Sequence, residues 1–172
     1  MQQRFSKIFL TTILIGLLSG CGSLPRAPES PPSRSNHLPD FSLSTSAGLE
    51  DISIHAISLI GTPYTWGGNT PQGGFDCSGL VVYVISQTRQ QKLPRTSNEL
   101  GKIGHSLQKQ APAPGDLVFF NTLNDPYSHV GIYVGQGRFV HAPKTGGTVR
   151  LDSIESSYWG PRYTEARRVI GN

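Results

Sequence analysis

The sequence predicts an α+β domain, with N-terminal helices packed on an antiparallel β-sheet. Three observations point to it. Apolar residues recur at helical spacing in two segments of the first half, short β-rich runs fill the second half, and two of those runs are joined by Gly135-Gln136-Gly137, a three-residue hairpin loop. Helices first and strands afterwards is the texture of segregated α+β folds. At 172 residues, with a leader and a tail set aside, there is room for one domain with a proper core. No internal repeat is evident.

Residues 1–20 read as a leader. Arg4 and Lys7 precede a mostly apolar run over 8–18, and Leu18-Ser19-Gly20-Cys21 closes it with small residues. A charged start, an apolar stretch and a small-residue end make an export signal. The run is shorter than the roughly 20 apolar residues that span a bilayer. Leu18-Ser19-Gly20-Cys21 also resembles the bacterial lipobox, which implies that Cys21 is acylated and becomes the mature N-terminus. Gly22 after it, rather than Asp, implies by the same resemblance the outer membrane, facing the periplasm. Residues 21–47 carry Pro25, Pro28, Pro31, Pro32 and Pro39 among serines, so burial cannot offset their ordering entropy. They read as a tether that extends up to ~3.1 Å per residue where polyproline-like.

Residues 48–172 carry the domain. Leu49, Ile52, Ala56, Leu59 and Ile60 predict a helix over 48–60, stopped by Gly61. A glycine-rich loop follows and runs to Phe75. Asp76 is then a good N-cap for a helix with Cys77 in its first turn, and Leu80, Val81, Val84 and Ile85 share the face of Cys77. After an unassigned stretch over 93–114, strands are expected at 117–120, 130–134, 138–141, 148–151 and 166–170. Pairing Val134 with Arg138 across the hairpin sets Tyr133 opposite Phe139 and Gly131 opposite His141. His129 and His141 then sit diagonally on one face, with room left by Gly131. A slip of one residue would separate them.

Charge and cysteine usage narrow the function. The formal charge is +4, two of those charges (Arg4 and Lys7) lie in the leader, and no Lys/Arg cluster or interleaved aromatic platform appears. Nucleic-acid binding is therefore not expected. Cys21 and Cys77 are the only cysteines, which excludes a disulfide framework beyond one possible bridge. Cys77 at a helix start, where the dipole and a nearby His lower a thiol pKa, is a candidate nucleophile. Two histidines on one sheet face supply a base and a group that fixes its tautomer. A zinc site of Cys77, His129 and His141 is the rival reading, although it lacks the short ligand pairs typical of structural zinc.

Six motifs then make a specific resemblance. Tyr64-Thr65-Trp66-Gly67-Gly68, Phe75-Asp76-Cys77-Ser78-Gly79, Leu93-Pro94-Arg95-Thr96-Ser97, Pro114-Gly115-Asp116-Leu117, Ser128-His129-Val130-Gly131-Ile132-Tyr133 and Phe139-Val140-His141-Ala142 resemble the successive motifs of the NlpC family of murein endopeptidases. That resemblance implies a papain-like cysteine peptidase fold and hydrolysis of amide bonds in peptidoglycan stem or cross-bridge peptides, without a cofactor or metal. It implies Cys77 as nucleophile, His129 as base, His141 as orienter and Tyr64 facing the nucleophile. Asp76, Arg95, Ser97 and Trp66 fall on the substrate side, while Leu100 departs from the glutamine common there. A monomer, held at a membrane only through its lipid, is expected. The rivals are a related Cys-His amidase or acyltransferase, and a wall-binding module without turnover.

Overall fold

The computed structural model describes residues 43–107 and 111–170, which belong to the unit Pro39–Asn172. The leader, Cys21 and the tether up to residue 42 lie outside the described residues. Helix α1 (Leu43–Ser58) starts ahead of the expected position. It buries Leu49, Ile52 and Ala56, as the helical spacing requires, and leaves Ile54 and Ile57 exposed. Gly61, at φ 96°, turns the chain in a conformation that favours glycine.

The glycine-rich loop is more ordered than expected. It folds into a small antiparallel ribbon of β1 (Asn69–Thr70) and β2 (Gly74–Phe75). Helix α2 (Cys77–Arg89) begins where the sequence predicts, with Asp76 as N-cap accepting from the Gly79 N–H at 2.7 Å. Leu80, Val81, Val84 and Ile85 are fully buried, each contributing roughly 1.5–3 kcal/mol by leaving water. The unassigned stretch contains α3 (Ser97–Leu100), a single turn closed by a capping box of Thr96 and Glu99. Thr96 followed by Glu99 at the third position on is the sequence signature of such a box.

One six-stranded antiparallel sheet holds the rest. Its strands are β3 (His105–Ser106), β4 (Leu117–Phe120), β5 (His129–Gly135), β6 (Arg138–His141), β7 (Arg150–Ser153) and β8 (Tyr163–Arg168), in the order β3-β8-β4-β5-β6-β7. β7 and β8 are displaced from the expected 148–151 and 166–170, because the links before them are irregular and set no register. Alternation along the strands builds two cores. Leu117, Phe119, Val130, Ile132 and Val140 pack with the apolar faces of α1 and α2. Val118, Phe120, Phe139 and Ala166 point the other way and gather with Trp159 and Leu107. At the head of β4, fully buried Asp116 accepts two bonds of 2.8 Å from Arg168 of β8, tying the strands together.

The hairpin register matches the expectation at Tyr133↔Phe139 and Ile132↔Val140, but Gly135 rather than Val134 pairs with Arg138. A bulge at Val134 absorbs the difference, so the loop is tighter than expected while the faces are unchanged.

Candidate active site

Cys77 enters the site because Asp76 stops the chain there as a helix cap. The Asp76 carboxylate is heavily used. Oδ1 accepts from Gly79 N, Ser78 Oγ and Arg95 Nη1, and Oδ2 accepts from Gly67 N and Arg95 Nη2 at 2.7 Å. Burial alone would raise its pKa, but the Arg95 and Gly79 bonds outweigh it and hold the carboxyl below its ordinary value. Arg95 also reaches Ser78 Oγ and Gly68 O, stitching loop, cap and helix together. Gly79 permits that approach, since a Cβ there would stand 2.0 Å from Gly68 O.

Tyr64, Trp66, Asp76, Cys77, Arg95 and Ser97 line one cleft of about 370 Å³. The motif residues expected on the nucleophile and substrate sides are thus brought together. Thr96, Leu123 and Ser128 also line it. Leu123, exposed in the link between β4 and β5, carries no sequence signal for that place. Trp66 is 85% exposed, at the cleft mouth.

The histidines stand behind this cleft. Phe120 pairs with His129 in the ladder, so the His129 ring shares the face of Phe120 and Phe139, turned away from α1 and α2. The two imidazoles share one sheet face, as the hairpin register requires, and the residue turned toward α2 is the next one, Val130, whose backbone N–H is directed at the Cys77 sulfur. The thiol therefore meets β5 one residue from His129, at the strand's first position. His129 and His141 touch directly, Nε2 to Nδ1 at 2.8 Å, with both rings buried. Gly131 makes this possible, because a Cβ there would stand 2.6 Å from Phe139 Cδ2 and 3.2 Å from His141 Cβ. Two ring nitrogens this close leave no space for a zinc ion between them, as Zn–N bonds of about 2.0–2.1 Å require more room.

Two further residues complete the cluster. Asp152 Oδ2 lies 3.0 Å from His141 Nε2, and the same oxygen accepts from Trp159 Nε1 at 2.8 Å and from Arg150. Trp159 stacks on His129 at 5.0 Å and meets His141 edge-on. Sequence reasoning assigned neither residue a role. The only available signal was strand alternation over 150–153, which places Arg150 and Asp152 on one face, but the irregular 142–149 link hides which strand residue they oppose.

The electrostatics differ from the expected thiolate. Burial, then the Asp76 charge, pushes the Cys77 thiol above its ordinary value, outweighing the Val130 and helix-start N–H groups that favour the anion. Burial and the neighbouring His141 push His129 down to about 3. Both shifts favour the uncharged forms, a thiol and a neutral imidazole, over an ion pair. Tyr64 is pushed upward by burial and by Cys77 and Asp76, so it stays a hydroxyl donor.

Comparison with known proteins follows the same outline. Residues 61–168 match the NlpC/P60 family. Murein DD-endopeptidase MepH of Escherichia coli is 42% identical over 114 residues, covering 64% of this chain and 42% of that protein. The probable endopeptidase NlpC of Escherichia coli is 39% identical over 167 residues, covering 96% of this chain and 99% of that one. The chain thus spans less than half of MepH and nearly all of NlpC. Among solved structures, the NlpC/p60 domain of the peptidoglycan hydrolase SagA superposes with a TM-score of 0.61 at 32% identity, covering 70% of this chain and 97% of that domain. The fold is the papain-like one of such domains.

Proposed function

The chain belongs to the NlpC/P60 family, and from that premise we propose that it is a cysteine peptidase that hydrolyses amide bonds in peptidoglycan stem or cross-bridge peptides. The observation that carries this reading is a helix-start thiol lining a cleft and held against the backbone of Val130, whose neighbour on β5, His129, is hydrogen-bonded to His141. Cys77 attacks the scissile carbonyl while His129 takes its proton. Because both groups are neutral beforehand, transfer accompanies attack rather than preceding it. Tyr64 and the Cys77 N–H stabilise the oxyanion. The C–N bond breaks as His129 returns the proton to the leaving amine, which leaves a thioester on Cys77. Water, deprotonated by His129, then releases the acid and restores the thiol.

His141 orients His129. Asp76 and Arg95 shape the cleft, and Ser97 and Trp66 meet the peptide from its rim. The name of MepH, a murein DD-endopeptidase, favours a bond between D-configured centres. Acylation of Cys21 holds the domain at the outer membrane, facing the periplasm, as a monomer. The test is digestion of purified cell wall with the full chain and with Cys77→Ser, followed by mass spectrometry of the new ends. Free amines within stem or cross-bridge peptides are expected from the wild type alone. Whole stems released from sugar would make it an amidase, and binding without new ends would make it a wall-binding module.

A further inference from the structure

The hydrogen bonds behind the cleft have a direction. Asp152 is an ionised acceptor. Partial burial pulls its pKa upward, but bonds from Trp159, Arg150 and His141 prevail and hold it below the ordinary carboxylate value. A carboxylate only accepts, so His141 Nε2 must carry the proton that bridges them. His141 is held well below its ordinary value, chiefly by burial, and is a neutral imidazole. Its Nδ1 then has only a lone pair, so His129 Nε2 must donate to it across 2.8 Å. His129 is also neutral, and its remaining nitrogen, Nδ1, is left with an uncommitted lone pair. A chain of acceptors and donors starting at Asp152 thus dictates which nitrogen of His129 is the basic one.

The sheet builds this chain by repeating one step. Gly131 falls opposite His141 by continuation of the Ile132↔Val140 pair, and His129 lies diagonal to His141. On the next strand, His141 pairs with Arg150 and Phe139 with Asp152, so Asp152 lies diagonal to His141 in its turn. Trp159 closes the assembly by donating to Asp152 with its N–H while its ring lies on His129.

We propose that Asp152, held by Trp159, is a positioning residue that fixes the tautomers of both His141 and His129 and supplies the counter-charge for the imidazolium formed as Cys77 attacks. The proposal rests on the peptidase reading for its kinetic part but not for its tautomer part. The charged and titratable groups around the imidazoles are Asp152 and Arg150 on β7 and Cys77 on α2, with Asp76 and Arg95 beside the thiol. Asp152 raises the pKa of His129 and Arg150 lowers it.

Two measurements on the full chain test it. Long-range ¹H–¹⁵N spectra of the imidazoles near neutral pH should show both histidines protonated at Nε2. A His129 protonated at Nδ1 overturns the proposal whether or not the chain digests wall. In kinetics, Asp152→Asn keeps an acceptor and removes the charge. It should lower kcat by about 10- to 100-fold, the worth of a hydrogen bond to a charged group, with KM little changed, and move the acid limb of the pH profile to lower pH. Arg150→Gln should move that limb the opposite way. Trp159→Phe, which keeps an aromatic ring and removes the N–H, should show a smaller version of the Asp152→Asn effect. Limbs that do not separate in opposite directions, with near-UV circular dichroism unchanged, would leave Asp152 a packing residue and refute the proposal. If Asp152→Asn fails to fold, the wild-type tautomers and the Arg150→Gln profile still decide. No turnover by any form, with Nε2 protonation seen, would sink the peptidase reading and leave the tautomer assignment standing.

Discussion

Cys77 and His129 are both held uncharged, which changes what a thiol reagent should see. With the thiol raised above its ordinary value by burial and the Asp76 charge, iodoacetamide should modify Cys77 slowly at neutral pH and reach its full rate only in alkaline solution. His129→Ala should leave that profile nearly unmoved, since a neutral imidazole does not stabilise the thiolate. Fast modification below pH 8 in the wild type, abolished by His129→Ala, would instead reveal a preformed ion pair. The two histidines should separate under substitution. Replacing His129 with Asn removes the proton acceptor and should cost at least the ~10²–10⁴ typical of a general base in wall digestion. An amide at 141 can still accept from His129 Nε2, so His141→Asn should retain measurable turnover where His141→Ala loses far more. At this scale the sequence was informative wherever a short loop fixed the geometry. His129 and His141 were placed together through Gly135-Gln136-Gly137, and Cys77 through its Asp76 cap. Asp152 and Trp159 escaped because eight residues of irregular chain, 142–149, separate β6 from β7 and carry no register.

Among the elements, the β5–β6 hairpin shows how a wrong detail can leave a right conclusion. The bulge at Val134 moves the partner of Arg138 by one residue near the turn, while the Tyr133↔Phe139 pair beyond it keeps every downstream face. Gly131→Ala tests how tightly that ladder is packed. The new methyl would press on Phe139 Cδ2, Val140 O and His141, and so should separate the imidazoles and depress turnover more than it depresses stability. Thermal unfolding and wall digestion measured on the same sample check the split. Asp116 makes the complementary case, in which stability suffers most. Asp116→Ala leaves the Arg168 guanidinium without its partner and frees the Ala113 N–H, and because the 28%-exposed guanidinium can turn to water the cost should be about 1–3 kcal/mol. Denaturant unfolding should show that loss with the cleft residues untouched. Helices α1 and α2 were legible from apolar spacing and the Asp76 cap, whereas the single turn α3 and the two-residue strands β1, β2 and β3 are too short to carry a period.

For the molecule as a whole, the proposed anchor is Cys21, outside the described residues, and no helix among the described residues is long and apolar enough to cross a membrane. Cys21→Ala should therefore abolish incorporation of a fatty-acid probe. Label that persists on the mutant chain would point to another attachment site. One more property follows from where the two tryptophans fall. Trp66 stands in solvent at the cleft mouth, 85% exposed, and Trp159 is 5% exposed against the His129 ring. They are the only indoles in the chain, so its intrinsic fluorescence divides into two colours: a red-shifted emission from Trp66, open to acrylamide, and a blue emission from Trp159, shielded from it. Occupation of the cleft should dim and shift the first. Protonation of the imidazole behind it should quench the second, so that an unlabelled protein reports ligand arrival and the charge of its own base at separate wavelengths.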